Sequence, residues 1–81
     1  MRLLYSERFK RSFESAPSSI QDAFHRRAGF LLYSLRHPSL HAKKYDESRG
    51  IWQARVNKEW RFYFTIEGDT YFLVDIMAHP K

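Results

Sequence analysis

The segment that decides the fold is residues 51–81, IWQARVNKEWRFYFTIEGDTYFLVDIMAHPK. Apolar and polar residues alternate along it, and two short polar stretches, 57–59 and 67–69, interrupt the alternation. Successive side chains of a strand point to opposite sides of a sheet, so the alternation predicts three consecutive strands joined by hairpin turns. The segment therefore predicts an antiparallel meander with one apolar face and one polar face.

The polar face of this meander is rich in cations. By strand parity, it is predicted to carry Gln53, Arg55, Arg61, Tyr63, His79 and Lys81. In the last strand, the alternate residues that are predicted to face the core are Phe72, Val74, Ile76 and Ala78. We expect helices to cover the apolar face and to leave the cationic face open. An open cationic face with aromatic edges predicts a surface that binds phosphate.

Two helices are predicted before the meander. Residues 2–5 read as a short strand, Ser6 is placed to cap the first helix, and Pro17 ends it. Ser18 and Gln21 fit a capping box at the start of the second helix, and the short connection makes the two helices roughly antiparallel. The apolar side chains that we expect to cover the sheet are Phe9, Phe13, Ile20, Phe24, Leu31 and Leu35.

The order of these elements defines the predicted fold class. Strand, helix, helix and three strands give an α+β fold, in which two N-terminal antiparallel helices pack on one face of an antiparallel β-sheet. Residues 41–45 are either a further short strand or an extended connection. A length of 81 residues fits a single domain, 1–81.

Composition limits the function classes. The chain has 14 Lys and Arg against 9 Asp and Glu, a net charge of +5, which favours a polyanion or an acidic protein as partner. There is no Cys and no HExxH pattern, so we expect no disulfide, no metal site and no cofactor. The sequence shows no secretory signal and no apolar run of membrane length. We therefore expect a cytoplasmic protein without a membrane partner.

The motifs resemble the RelE/ParE superfamily of bacterial type II toxins. The resemblance covers essentially the whole chain and is carried by W-x-A-R-V at 52–56, W-R-F-Y-F at 60–64 and I-M-A-H-P-K at 76–81, behind a helical hairpin. It implies the toxin of a type II toxin–antitoxin system, with a cognate antitoxin as partner. For the RelE-like branch, it also implies a metal-independent endoribonuclease that cleaves mRNA on the ribosome. DNA would then be contacted only indirectly, through the antitoxin.

The resemblance assigns catalytic roles to four basic residues. Arg55 matches a residue that contacts the phosphate, and Arg61 matches the Arg that stabilises the charged transition state. His79 and Lys81 fall where the RNase branch places a His or a basic residue near the scissile bond. When a 2′-hydroxyl attacks the phosphate, a doubly charged phosphorane forms, and a guanidinium group can stabilise its charge through paired hydrogen bonds. An imidazole group can accept or donate the protons that move in this reaction. Because Arg61 faces away from the core by parity, we expect folding to survive its removal.

Four further residues are expected to contact RNA: Gln53, Tyr63, Lys43 and Lys44. Gln53 stands where some family members have a Lys or an acidic residue, so the general base is not identified. Tyr63 either stacks on a base or is an ordinary surface Tyr, and the two Lys either grip the RNA backbone or are solvated. Asp75 shares the cationic parity and is expected to form an ion pair with an Arg rather than to act as the base.

Two other functions remain open at this point. The ParE branch poisons DNA gyrase and has no RNase activity, whereas Trp52, Arg61 and the segment 79–81 favour the RNase. Members of the RNase branch often carry a further catalytic Tyr, which is missing here unless Tyr63 substitutes for it from another direction. That difference, together with Gln53, leaves room for an interaction module whose catalytic set has decayed.

Overall fold

The computed structural model describes residues 1–79 as two helices on a five-stranded sheet. The strands are β1 (Arg2–Tyr5), β2 (Lys43–Asp46), β3 (Ile51–Arg55), β4 (Trp60–Glu67) and β5 (Thr70–Ala78). The helices are α1 (Glu7–Ser15) and α2 (Ser18–Tyr33), and the single-turn 3₁₀ helices Pro38–Leu40 and Glu47–Arg49 flank β2. The predicted α+β class, with two N-terminal helices packed on a sheet, is confirmed.

The sheet is mixed, in the order β1-β5-β4-β3-β2. The predicted meander β3–β4–β5 is antiparallel, and β2 adds to β3 in the same sense. The ambiguous segment is thus a strand, in which Lys43 pairs with Gln53 and Lys44 with Trp52. β1 lies parallel to β5, with Arg2 opposite Thr70. The two helices therefore form the connection that carries the chain away from β1 and back to the sheet.

The core lies between the helices and one face of the sheet. The rings of Phe9 and Phe24 lie 5.1 Å apart, and Phe24 meets Phe62 of β4 edge-on at 5.2 Å. The largest fully buried side chains are Phe24, Phe62, Phe64, Leu31, Leu40, Leu73, Ile76 and Val56. Trp52 and Trp60 are partly buried and pack against this cluster, as their parity predicts. Burial of each large apolar side chain stabilises the fold by about 1.5–3 kcal/mol.

A β-bulge in β5 changes the face of the sheet to which the side chains of this strand point. Tyr63 pairs with Asp75, but the next residue, Phe64, pairs with Leu73. Val74 is therefore an extra residue on β5, with no partner of its own on β4. A single extra residue reverses the parity of every side chain on the far side of the bulge.

The prediction that Phe72 and Val74 face the core is wrong for this reason. Leu73 and Tyr71 occupy the core in their place, and both are buried. Ile76, which lies on the other side of the bulge, is buried in the core as predicted. The bulge thus lets both halves of β5 contribute to one core.

Ser6 connects α1 to this bulge. Its hydroxyl oxygen accepts a hydrogen bond from the Phe9 N–H at 2.9 Å, which is the predicted helix cap. The same hydroxyl donates to the carbonyl of Val74 at 2.8 Å, and the Ser6 N–H donates to the carbonyl of Leu73 at 3.0 Å. One side chain therefore caps the helix and fixes it to the irregular point of the sheet.

α2 begins without the predicted capping box. Pro17 occupies the N-cap position, and no side chain caps the first turn. Gln21 Nε2 instead donates to the carbonyl of Phe13 at 2.8 Å and to that of Ala16 at 3.4 Å. These bonds close the helical hairpin because they join Gln21 of α2 to the last turn of α1, where the Phe13 carbonyl also accepts from the Ala16 N–H at 3.1 Å. No helix within residues 1–79 is long and apolar enough to cross a membrane.

The double role of Ser6 gives a stability prediction. Ser6→Ala should lower the free energy of unfolding by about 1–2 kcal/mol, because both the cap and the bond to Val74 are lost. Urea unfolding followed by tryptophan fluorescence measures this. Ser15→Ala, an exposed serine at the other end of α1, is the control and should change little. Equal stabilities of the two variants would contradict the assigned role.

Candidate functional site

An open cleft brings together most of the residues that the sequence predicts for the site. It has a volume of about 510 Å³ and is lined by His41, Ala42, Lys43, Gln53, Arg55, Arg61 and His79. We refer to it as the basic cleft. Five of its residues were predicted, namely Lys43, Gln53, Arg55, Arg61 and His79. Three permanent cations and no carboxylate line the described part of the cleft, so it attracts anions.

Two arginines face each other across the cleft floor. Arg55 of β3 and Arg61 of β4 are direct partners in the antiparallel register. Like charges at directly opposed positions destabilise a sheet. An anion placed between them would remove that repulsion and bind to both.

Arg61 is buried, with 8% of its surface exposed. Its Nη1 donates to the carbonyls of Asn57, Lys58 and Trp60 at 2.8, 3.0 and 3.2 Å. The guanidinium group is thus held by the turn between β3 and β4. The expectation that Arg61 lies open on the cationic face is therefore wrong, because the turn wraps its carbonyls around the guanidinium. That folding survives the removal of Arg61 stays a prediction.

The other edge of the Arg61 guanidinium makes no hydrogen bond within residues 1–79, where Nη1 is the nitrogen that donates. No buried side-chain nitrogen or oxygen in that part of the chain lacks a partner, and Arg61 lines the basic cleft. Nε and Nη2 present two parallel N–H groups, the arrangement that binds two oxygens of one phosphate.

Asn57 shapes the turn that holds Arg61. Its side-chain oxygen accepts hydrogen bonds from the N–H groups of Glu59 and Trp60, both at 2.9 Å. This is an Asx-turn, in which a short polar side chain mimics a backbone turn. The Glu59 carbonyl in the same turn accepts from the His79 N–H at 2.6 Å. One turn therefore fixes both the guanidinium and the end of β5 that carries His79.

Gln53 and Tyr63 form a buried pair. Gln53 Nε2 donates to Tyr63 Oη at 3.1 Å, and both side chains are buried. The ring of Tyr45 meets the Tyr63 ring edge-on at 4.9 Å. The expectation of an open Tyr63 is therefore wrong: it lies outside the lining of the basic cleft and orients Gln53, which does line it.

The remaining predicted residues lie elsewhere. Lys44 points to the opposite side of the sheet, where its Nζ lies 5.9 Å from the centre of the Trp52 ring. Lys81 lies outside the described residues, so its role stays a prediction. Asp75 accepts a hydrogen bond from the Ile76 N–H at 2.8 Å and forms no ion pair within residues 1–79, so the predicted pairing with an Arg is wrong.

His41 is the cleft residue that the sequence did not single out. It has φ 47° and ψ 42°, and it is the one non-glycine residue with positive φ in the described range 1–79. A non-glycine residue in this region costs about 1 kcal/mol or more and often marks a functional position. The buried Leu40 before it fixes the loop, and the exposed His41 side chain lines the cleft together with His79. Only the path of the loop shows that a second histidine lines the cleft with His79.

No metal site accompanies this cleft in the described part of the chain. Residues 1–79 contain no group of three His, Asp or Glu side chains placed to hold a metal ion. The polar groups that line the cleft are guanidinium, ammonium, amide and imidazole groups.

Comparison with solved structures gives this fold clear relatives. The YoeB/ParE toxin from Agrobacterium tumefaciens superimposes with a TM-score of 0.82 at 13% identity, over 99% of this chain and 100% of that one. YafQ from E. coli strain BL21(DE3) gives 0.80 at 15% identity, over 95% and 91%. The RelB–RelE antitoxin–toxin complex from Methanococcus jannaschii gives 0.73 at 17% identity, over 93% and 88%.

These likenesses show that the chain has the fold of the RelE/ParE toxins, as the resemblance of its motifs implies. No family model matches the sequence, and no curated protein matches it either.

The buried guanidinium gives a second stability prediction. Arg61→Ala should lower the free energy of unfolding by about 2–3 kcal/mol, because hydrogen bonds to a charged donor are lost and the turn carbonyls lose their partner. Arg55→Ala is the matched control, since within residues 1–79 the Arg55 side chain makes no hydrogen bond or ion pair. Chemical denaturation compares the two. An Arg61→Ala protein as stable as Arg55→Ala would show that the turn does not depend on this side chain.

Proposed function

We propose that this protein is the toxin of a type II toxin–antitoxin system and that it cleaves mRNA in the basic cleft without a metal ion. The supporting observation is the Arg61 guanidinium, which lines the cleft, is fixed through Nη1, and makes no hydrogen bond through Nε or Nη2 within residues 1–79. A donor pair that is fixed before the substrate arrives needs little reorganisation when charge develops on the phosphorane. Arg55, its cross-strand partner, supplies the second cation.

Two imidazoles complete the proposed reaction. The 2′-hydroxyl of the substrate attacks the adjacent phosphorus, the bond from phosphorus to the 5′-oxygen breaks, and a 2′,3′-cyclic phosphate and a 5′-hydroxyl form. One imidazole accepts the proton of the 2′-hydroxyl and the other donates a proton to the departing 5′-oxygen. His41 and His79 line the same cleft and serve these roles as a pair. His41 thereby fills the position of the general base or acid that the sequence left without a residue.

Gln53 and Lys43 assist binding in this proposal. Gln53 uses its Nε2 to hold Tyr63, so its Oε1 remains as an acceptor for a ribose hydroxyl. An amide does not titrate, so Gln53 orients the nucleophile and does not move its proton. Lys43 lies beside Gln53 in the cleft lining and offers a cation to a neighbouring phosphate.

The proposed partners follow from the charge and from the relatives. RelE of Methanococcus jannaschii is in complex with an antitoxin, and we propose a cognate antitoxin with an acidic segment for this chain of net charge +5. The substrate would be mRNA on the ribosome, in the cytoplasm, and DNA would be contacted only through the antitoxin. Association of toxin and antitoxin should then slow as salt concentration rises.

Expression in cells tests the proposed reaction. Induction of the chain should produce new mRNA 5′ ends, while DNA supercoiling by gyrase stays normal. Arg61→Lys, which keeps the charge but loses the two-donor edge, should lower cleavage by about 10²-fold, the effect expected when a transition-state donor is removed. Arg49→Lys, at an exposed position outside the cleft, is the control. Normal messages with inhibited supercoiling would instead identify a ParE-like gyrase inhibitor.

The two imidazoles predict that cleavage needs both histidines. His41→Gln and His79→Gln should each lower the cleavage rate by about 10²-fold or more, the effect expected when a proton-transfer group is removed. His25→Gln, a histidine on α2 outside the cleft, is the control and should keep the rate. Initial rates of mRNA cleavage by the purified variants measure this, and unchanged rates in both cleft variants would exclude both histidines from proton transfer.

A further inference from the structure

The loop between α2 and β2 brings His41 from the core to the basic cleft. It spans residues 34–42 and contains the 3₁₀ turn Pro38–Leu40. Leu40, the last residue of that turn, is fully buried in the core, whereas the next residue, His41, is exposed and lines the cleft. The backbone at this point therefore decides where the His41 imidazole lies.

The backbone of His41 needs support from its neighbours. Its left-handed conformation, with φ 47° and ψ 42°, is unfavourable for a residue other than glycine and persists only where the surrounding structure fixes it. On one side, β2 begins at Lys43, which pairs with Gln53. On the other side, the second fixed point must come from the 3₁₀ turn that ends at Leu40.

His37 holds the start of that turn. Its Nδ1 accepts a hydrogen bond from the Ser39 N–H at 3.2 Å, and its carbonyl accepts from the Leu40 N–H at 3.1 Å. The bond to Nδ1 has the form of an Asx-turn, because Nδ1 of histidine occupies the place of Oδ1 of asparagine. Pro38 favours this arrangement, since the residue before a proline is extended, and His37 has φ −56° and ψ 129°.

The His37 ring is itself held by α2. It stacks on the Phe30 ring at a centroid distance of 4.1 Å and an angle of 2°, which fixes the plane in which Nδ1 accepts. The guanidinium of Arg27, also on α2, lies 5.8 Å from the centre of the Phe30 ring, and its Nε donates to the Val56 carbonyl at 2.9 Å. Successive contacts thus connect the end of β3, through α2, to the turn before His41.

We propose that His37 is a positioning residue for the basic cleft. Through its hydrogen bond to the Ser39 N–H, it fixes the turn that keeps His41 in the left-handed conformation. His37 does not line the cleft, so it acts through the backbone and not on the substrate. The proposal rests on the proposed function in taking His41 as a group that moves a proton. It adds a residue outside the cleft on which the rate of cleavage depends.

Three substitutions of His37 separate the hydrogen bond from the ring stack. His37→Asn keeps an acceptor for the Ser39 N–H and loses the stack, His37→Phe keeps the stack and loses the acceptor, and His37→Ala loses both. In His37→Phe and His37→Ala, kcat for cleavage of mRNA on ribosomes should fall by about 10-fold to 10²-fold, since a small displacement of a reacting group costs this much. His37→Asn should keep kcat near the wild-type value. KM should stay the same in all three, because the arginines that bind the phosphate are unchanged.

Two control variants accompany this series. Ser39→Ala is the matched control in the same turn, because it keeps the backbone N–H that donates to His37. Ser6→Ala, which lowers stability at the start of α1, controls for a loss of stability alone. Both variants should keep kcat and KM.

NMR of the same purified variants reports the backbone of His41 independently of any activity. A left-handed residue gives a strong NOE between its own amide and α protons. This NOE should be present at His41 in the wild-type protein and in His37→Asn, and it should weaken in His37→Phe and His37→Ala.

The outcomes separate the positioning role from the proposed function. Full activity of His41→Gln would contradict the proposed function, and the NOE would still test His37. An NOE and a kcat that His37→Phe and His37→Ala leave unchanged would overturn the positioning role. A loss of kcat in His37→Asn as large as that in His37→Ala would also overturn it, because the stack and not the hydrogen bond would then hold the loop. A weakened NOE with unchanged kcat would support the role of His37 in fixing the loop and exclude His41 from the reaction.

Discussion

The hydrogen bonds between Arg61 Nη1 and the turn after β3 connect the fold to the site. A buried guanidinium is tolerated only when its donors are satisfied, and three carbonyls of one turn satisfy this nitrogen. The Asn57 side chain gives the turn its shape, and the Glu59 carbonyl of the same turn accepts a hydrogen bond from the His79 N–H. The position of the cationic cleft is thus a consequence of how two strands are joined.

The opposite face of the sheet provides the stability. Phe24, Phe62 and Leu73 fill a core whose buried side chains, within residues 1–79, do not line the basic cleft. Ala42, which is partly buried, packs against this core and also lines the cleft. Ser6 and the bulge at Val74 adjust the sheet to the helices so that this core closes. Because the two faces are separate, the residues of the cleft can be arranged for binding rather than for packing. The repulsion between Arg55 and Arg61 destabilises the sheet, and the core on the other face offsets it.

The alternation of residues was enough to predict the helical hairpin, the meander, the aromatic core and the side of the sheet that carries the cations. It did not predict the bulge, because one extra residue such as Val74 leaves the composition of a strand unchanged. Parity gives the side to which Arg61 points but not its depth, which depends on carbonyls of a turn. The sequence does not predict that His41 lines the cleft, because the position of His41 depends on its own left-handed backbone conformation in a loop. The parallel pairing of β1 with β5 is a contact between distant segments, which local patterns do not reveal.

The central claim is that the Arg61 guanidinium is anchored through Nη1 and that Nε and Nη2, which make no hydrogen bond within residues 1–79, bind the phosphate. Side-chain ¹⁵N NMR of the arginine guanidinium groups tests it directly, with vanadate as a ligand that imitates the geometry of the phosphorane. The account predicts that the Nη1 protons of Arg61 exchange slowly with solvent in the free protein and keep their shifts when vanadate is added, while the Nε and Nη2 signals move. Freely rotating Nη groups in the free protein, or Nε and Nη2 signals that do not respond to vanadate, would contradict it.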